Sequence, residues 1–401
     1  MSGSVRRDRA TLAFAVWAVL VSQVLLYPGV ADLVAALGAP PDIASGMWFL
    51  VAEFAAFVVC AGLWGALSDA VGRRVPLIVV GAVGGAAGYL SIAAAPSFGL
   101  SFGAVLALRA VGGALTIGAF SLAVTMLMDL AGGHGRNMGA AGIAIGLGAA
   151  LGAIAGGRLT AVDPLAPLYA AAALLCLVAA AAATVEDRAP DGRRVGVGAV
   201  LSRLADRPAL SVPYAFGFID RLTAGFFALV GVYYFRDAFG LDAAAAGSVL
   251  ALFFFPFALL QYPMGVLSDR IGRFLPVVAG SALYGASIVA VGAAPALELA
   301  AGLMVLVGVF GALVAPATMA LVTDLADPGE RGAAMGGFNV FGSLGFLTGF
   351  LVGGTVADAH GYLPAFVVVG LLEVAIAALA LRAVRRIAPD PDNAEGGLSG
   401  A

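Results

Sequence analysis

The sequence predicts an all-α membrane protein: twelve transmembrane helices in two pseudo-symmetric six-helix bundles. Three observations predict it. Of 401 residues, 62% are hydrophobic and 11% charged, where a soluble domain is about 25% charged. Apolar runs of about 20 residues recur along the chain, the length that crosses a bilayer as a helix. Between two such runs, Gly65-Ala66-Leu67-Ser68-Asp69-Ala70-Val71-Gly72-Arg73-Arg74 returns 200 residues later as Gly265-Val266-Leu267-Ser268-Asp269-Arg270-Ile271-Gly272-Arg273-Phe274. The copies are followed alike by Pro76 and Pro276.

The elements follow in order. The first span, 11–36, comes after Arg6, Arg7 and Arg9. It is too long for a signal-peptide core and has no cleavage site, so it reads as a membrane helix. Spans 43–67 and 75–95 flank the first copy of the repeat, and 98–125, 137–160 and 164–184 complete a bundle over residues 1–185. Residues 186–210 form a charged linker, with a weakly amphipathic piece ending near Arg207-Pro208. That piece either lies on the membrane surface or is a flexible connection. Spans 211–236, 242–266, 275–294, 298–323, 333–357 and 362–384 make the second bundle, within residues 211–401. Cys60 and Cys176 fall inside spans and read as small packing residues, not a disulfide.

The duplication extends beyond the loops. Asp129 precedes Arg136 by seven residues, and Asp324 precedes Arg331 by seven, an offset of 195. Gly152-Ala153-Ile154-Ala155-Gly156-Gly157 is echoed by Gly349-Phe350-Leu351-Val352-Gly353-Gly354. A near-constant offset predicts two parallel repeats related by an axis along the membrane normal.

Several classes are excluded. A net charge of −3 offers nothing to nucleic acid. His134 and His360 fall in loops without metal-ligand spacing, and there is no P-loop, nucleotide fingerprint or Ser/His/Asp arrangement. No enzyme activity, cofactor or metal is expected. The apolar spans imply the lipid bilayer as a partner.

The pattern Gly-x-x-x-Asp-x-x-Gly-Arg at Gly65, Asp69, Gly72 and Arg73, and again at Gly265, Asp269, Gly272 and Arg273, resembles the loop signature of the major facilitator superfamily. The resemblance covers nearly the whole chain. It implies a secondary transporter working by alternating access, with a small-molecule substrate and protons as partners, the chain acting as a monomer and the loop motif as a cytoplasmic latch. Spacing places Gly65 and Asp69 on one helix face. A carboxylate at a helix C-terminus meets the negative dipole end and needs a positive partner. The start of the eleventh span with Arg331 offers one to Asp69; Arg136 and Asn137 offer one to Asp269. Gly65 admits a close helix, Gly72 permits a sharp turn, and Arg73 is expected to pair with Asp129. The alternative is a turn and topology signal with no part in gating.

Ionisable residues deep in a span are costly and mark function. At about 1.5 Å per residue, Glu53, Arg109, Asp220, Arg221 and Glu373 fall near mid-membrane. Arg109-Ala110-Val111-Gly112-Gly113 looks like the family's Arg-x-x-Gln-Gly motif, which the resemblance associates with proton coupling, but Gly112 replaces Gln. Glu53 and Arg109 are expected to pair, as a structural bridge or as a proton-carrying carboxylate with its counter-ion. Asp220 and Arg221 are consecutive, about 100° apart on a helix, and so face different ways. Asp220 is a titrating candidate, Arg221 a holder of anionic groups. Glu373 has no account from sequence. Gln23, Tyr27, Tyr233, Tyr234, Gln261 and Asn339 complete the candidate cavity. Phe253, Phe254, Phe255 and Phe257 read as lipid-facing bulk or an apolar lining. Fifth-span glycines resemble the family's antiporter motif, with Ala153 where proline stands; close helix packing explains them as well. Efflux of apolar or cationic compounds is the first reading. Organic-anion uptake or exchange is the second, and a transport-inactive sensor or scaffold the third.

Seventeen of the 21 arginines fall on one side of this topology, which the positive-inside rule makes cytoplasmic. The expected location is the cell inner (plasma) membrane, with both termini and the linker cytoplasmic. Single cysteines at Gly192 and Ala39 should therefore label from opposite sides of the membrane; labelling from one side would overturn the span count.

Overall fold

The computed structural model describes residues 3–130, 134–187, 207–327 and 330–387. Among the described residues, ten helices are long and apolar enough to cross a bilayer. They are α3 (Ile43–Val71), α4 (Val75–Ala94, prolonged by a 3-10 turn), α5 (Phe102–Asp129), α6 (His134–Val162), the α8–α9 pass, α10 (Ala243–Ile271), α11 (Phe274–Gly292), α12 (Leu297–Leu325), α13 (Arg331–His360) and α14 (Tyr362–Ile387). The α8–α9 pass comprises α8 (Ser211–Phe226), a π-turn over Phe227–Gly231 and α9 (Val232–Phe239). The first pass, α1 (Gly3–Val24) with α2 (Val30–Ala36), and the apolar α7 (Ala166–Ala182) bring the passes to the expected twelve.

The first pass departs from expectation. It was expected unbroken over 11–36, but α1 stops at Val24 and α2 starts at Val30. Pro28 explains the break. It has no N–H, and its ring clashes with the carbonyl four residues back, which belongs to Val24. The turn is packed hard against α6, where a Cβ on Gly29 would collide with the Thr160 side chain.

By contact the chain forms two compact units: Met1–Arg194 with Ala228–Phe254, and Val195–Phe227 with Phe255–Ala401. One changeover falls in the π-turn, the other beside Pro256 inside α10. In the first unit, α1 packs on α5, α6 and α7, and α4 on α5 and α7. The second unit repeats this with the corresponding elements: α8 on α12, α13 and α14, and α11 on α12 and α14. Equivalent helices thus meet equivalent neighbours.

Within the first unit, the Ala228–Phe254 segment is tied to the N-terminal helices by polar contacts. Arg236 on α9 forks onto Asp32 of α2, with N···O distances of 2.7 and 3.0 Å. The Tyr233 hydroxyl donates to the Asp42 carbonyl at 2.8 Å, while the Asp42 side chain caps α3 through the Ser45 amide. Phe253 and Phe254 are buried, with ring centroids 4.7 Å apart. They are core side chains and not the lipid-facing bulk that composition suggested.

Glycine sets the closeness of these contacts. A Cβ at Gly156 would sit on the Leu25 carbonyl, and one at Gly157 on the Ala243 carbonyl. The fifth-pass glycines are therefore contact points for α1 and α10. Gly156→Leu should destabilise the fold by at least the ~1–3 kcal/mol of an overpacked core. The thermal midpoint of detergent-purified protein checks this; an unchanged midpoint would show that α1 and α6 are not in contact.

Candidate functional site

The first unit holds a sealed ion pair. Arg109 Nη2 of α5 donates to Glu53 Oε2 of α3, and the two residues are only 2% and 1% exposed. The Tyr89 hydroxyl of α4 donates to Glu53 Oε1 at 3.3 Å. The guanidinium lies 4.7 Å from the Phe49 ring centre and 5.2 Å from that of Tyr89, within cation–π range. Tyr27 is buried within electrostatic reach of both charges. The space left between Glu53, Tyr89, Arg109 and Thr116 is too small to hold a water molecule.

The backbone brings these groups together. At Gly113, a Cβ would lie 2.8 Å from the Glu53 carbonyl oxygen, so only glycine lets α3 and α5 approach this closely. Gly112 faces Gly88 of α4: a Cβ added at Gly88 would lie 2.8 Å from the Gly112 Cα. A Cβ at Gly112 itself would lie 3.5 Å from the Gly88 Cα, an ordinary contact.

The second unit holds a different cluster. Asp220 on α8 is 6% exposed and Glu373 on α14 is 1% exposed. Thr223, one turn beyond Asp220, donates to Glu373 Oε1 at 3.0 Å. Tyr284 on α11 is fully buried beside Thr223 and within electrostatic reach of both acids. Asp220 Oδ1 and the Tyr284 hydroxyl have no hydrogen-bond partner. Arg221 makes no ion pair with Asp220; it is half-buried, its aliphatic stem beside Gly342 of α13.

The remaining candidates lie apart from these clusters. Gln23 is buried with Nε2 unbonded. Tyr233 is held by the Asp42 carbonyl, and Tyr234 packs edge-on against Phe235 and Phe239. Gln261 is half-buried and Asn339 exposed.

The loop motif departs from expectation in its pairings. Gly72 adopts φ +68° and Gly272 φ +82°, left-handed conformations that cost a non-glycine residue. Arg74, not Arg73, binds Asp129, at 2.5 Å, and Arg73 is exposed. The reason is position: Arg74 is the N-cap of α4, with its own amide bonded to Asp187 at 3.0 Å. In the second copy Phe274 occupies that place and packs on a core of Phe216, Val277, Ala317, Ala380 and Val384. Arg273 takes over, binding Asp269 at 2.5 Å and Asp324 at 3.1 Å. The expected partners of Asp269, Arg136 and Asn137, have side chains outside the described residues. Arg331 bonds the Thr323 carbonyl at 3.2 Å. Gly65 admits no close helix: nothing lies within 4 Å of a Cβ there. Asp69 is half-exposed.

Sequence reasoning missed Tyr89, Thr223 and Tyr284, and left Glu373 unexplained. One signal was present. Tyr89 and Tyr284 are separated by 195 residues, the offset of Asp129 and Asp324. Among the described residues, no group of three metal-binding side chains occurs.

Comparison with known proteins agrees with this architecture. The profile of the Major Facilitator Superfamily matches residues 12–235 and 214–399. A class C tetracycline resistance protein of Escherichia coli is 28% identical over 326 residues, covering 78% of this chain and 80% of the relative. An uncharacterised MFS-type transporter of Methanocaldococcus jannaschii is 29% identical over 157 residues, 39% of this chain and 40% of the relative's length. The crystal structure of a bacterial homologue of the human lysosomal transporter Spinster, inward-facing and unoccupied, superposes with a TM-score of 0.80 at 14% identity. It covers 98% of this chain and 100% of that one.

Removing one partner of a buried ion pair costs about 3–5 kcal/mol, whereas replacing both is close to neutral. Arg109→Leu should therefore destabilise strongly, and adding Glu53→Gln should recover most of the loss. Denaturation midpoints of the single and double variants check this; strictly additive losses would dismiss the pair.

Proposed function

The chain belongs to the major facilitator superfamily, and from that premise we propose that it is a proton-coupled secondary transporter that exports a small apolar or cationic organic molecule by alternating access. The Glu53–Arg109 pair carries the reading. A buried ion pair is weak evidence for stability, because desolvation offsets most of its attraction. Ionisable side chains inside spans mark ion or substrate paths. In this reading Glu53 is the group that exchanges a proton, with Arg109 and Tyr89 both bonded to its carboxylate. When the carboxylate is protonated, Arg109 loses its counter-ion. That change in local charge is the step that links proton occupancy to conformation.

Export is favoured by the relative named for tetracycline resistance, which aligns over most of both chains. Uptake or exchange of an organic anion is the second reading, favoured by Arg221, a half-buried cation without an ion pair among the described residues. A transport-inactive sensor on the same fold is the third, and it predicts no flux of any probe. In this reading residues 1–185 and 211–401 act as two repeats joined by 186–210, with both termini cytoplasmic and the chain monomeric. The two loop motifs gate the cytoplasmic side. Asp69→Asn should then shift spin-label distances between the cytoplasmic helix ends toward the open form, a coupling of about 1–3 kcal/mol.

The decisive experiment is flux in proteoliposomes carrying a pH-sensitive dye, with tetracycline and a fluorescent organic anion as probes. Wild type should move protons against tetracycline. Glu53→Gln, whose amide mimics the protonated acid, should lose uphill transport while keeping downhill exchange, and Asp220→Asn should weaken coupling less. Full proton-driven accumulation by both variants would remove these residues from the mechanism.

A further inference from the structure

The duplication points to a second buried acid site with a different composition. Tyr89 of α4 and Tyr284 of α11 stand 195 residues apart and both are buried; the Tyr89 hydroxyl bonds Glu53. The charges around them differ. By the same offset Arg109 corresponds to Met304, which is fully buried. By the loop-motif offset of 200, Glu53 corresponds to Phe253. The ion pair of the first repeat is therefore apolar in the second. In its place, Asp220 and Glu373 enter from α8 and α14.

These acids are at least nine-tenths buried, and neither forms an ion pair among the described residues. Arg221 is the nearest cation in sequence, but its side chain lies toward Gly342. The packed neighbours supply no other charge at this depth. In α12 the ionisable groups are Glu298 and Asp324, near its ends; in α13 they are Arg331, Asp358 and His360, also near its ends. In α14 the remaining ones are Arg382, Arg385 and Arg386 in the last turns. From α11 come hydroxyls alone: Tyr284 and Ser281, fully buried and without a hydrogen-bond partner, and Ser287, bonded to the Leu283 carbonyl. The arrangement is held closely. Gly285 and Gly370 touch backbone to backbone, and a Cβ at Gly285 would lie 2.9 Å from the Glu373 Cβ.

We propose that Asp220 and Glu373, joined through Thr223 one turn beyond Asp220, form a second proton-binding site that holds one proton between two carboxylates. Two buried carboxylates at one site do not both ionise, and an unpaired buried charge is strongly penalised. A proton on one carboxyl oxygen removes one negative charge and adds a donor. It also removes the charge that would otherwise fall on Asp220, whose Oδ1 has no donor to stabilise it. The proton comes from water and returns to it as an O–H bond forms and breaks; no other reactant is needed.

The proposal deepens the proton-coupled reading, and its test reads proton binding rather than flux, so either can fail alone. Infrared difference spectra of the purified protein across a pH series report the carbonyl stretch of a protonated carboxyl. Wild type and Glu53→Gln should both show a band that titrates and is indifferent to sodium. Glu373→Gln and Asp220→Asn should each abolish its titration. Thr223→Val keeps both acids and should shift the band's frequency, which guards against loss of fold in the acid variants. A band unchanged in all three second-unit variants, lost only in Glu53→Gln, or displaced by sodium would overturn the proposal.

Discussion

Backbone-to-backbone contact at glycine is the constraint on which both buried acid sites depend. Where Gly113 meets the Glu53 backbone, α3 and α5 come close enough for a carboxylate and a guanidinium to bond out of water. Where Gly285 meets Gly370, α11 and α14 come close enough to hold Glu373 against Thr223. Lipid is as apolar as leucine, so helices in a membrane gain little from hiding apolar side chains from it. Close packing and interhelical hydrogen bonds do that work instead.

Close packing also explains why polar groups persist at this depth. An ion pair in a dry bundle loses much of its attraction to desolvation, so stability alone does not favour Glu53 and Arg109 over two apolar residues. The second sequence repeat has the alternative, with Phe253 and Met304 at the corresponding positions and both nearly fully buried. One sequence thus contains both solutions to the same packing problem. The repeat that kept the charges surrounds them with Tyr89, Tyr27 and Phe49. The repeat that lost them placed unpaired acids on two other helices.

The loop motif shows how duplication tolerates exchange of parts. Both copies tie an aspartate at the end of a long helix, Asp129 or Asp324, to an arginine after the glycine turn. Arg74 serves in one copy and Arg273 in the other, because Phe274 is committed to the apolar core where Arg74 has its counterpart. The interaction is kept while the residue that makes it moves by one position.

The sequence by itself determined the class, the passes and the repeat. Long apolar runs leave the backbone one economical way to satisfy its hydrogen bonds in lipid, the helix, and a fixed offset makes equivalence visible without coordinates. It also marked Glu53, Arg109, Asp220 and Glu373, because charge inside a span stands out against an apolar background. Tertiary structure decided who meets whom. Pairing of Glu53 with Arg109 was legible because the motif and depth agreed. Asp220 was read with its sequence neighbour Arg221, yet it is grouped with Glu373, some 150 residues away and joined through Thr223. Helical rotation turns adjacent side chains apart, and packing of α8 on α14 brings distant ones together. The break after Val24 follows from Pro28 alone. The close fit of its turn against Thr160 required a partner helix that no local pattern names.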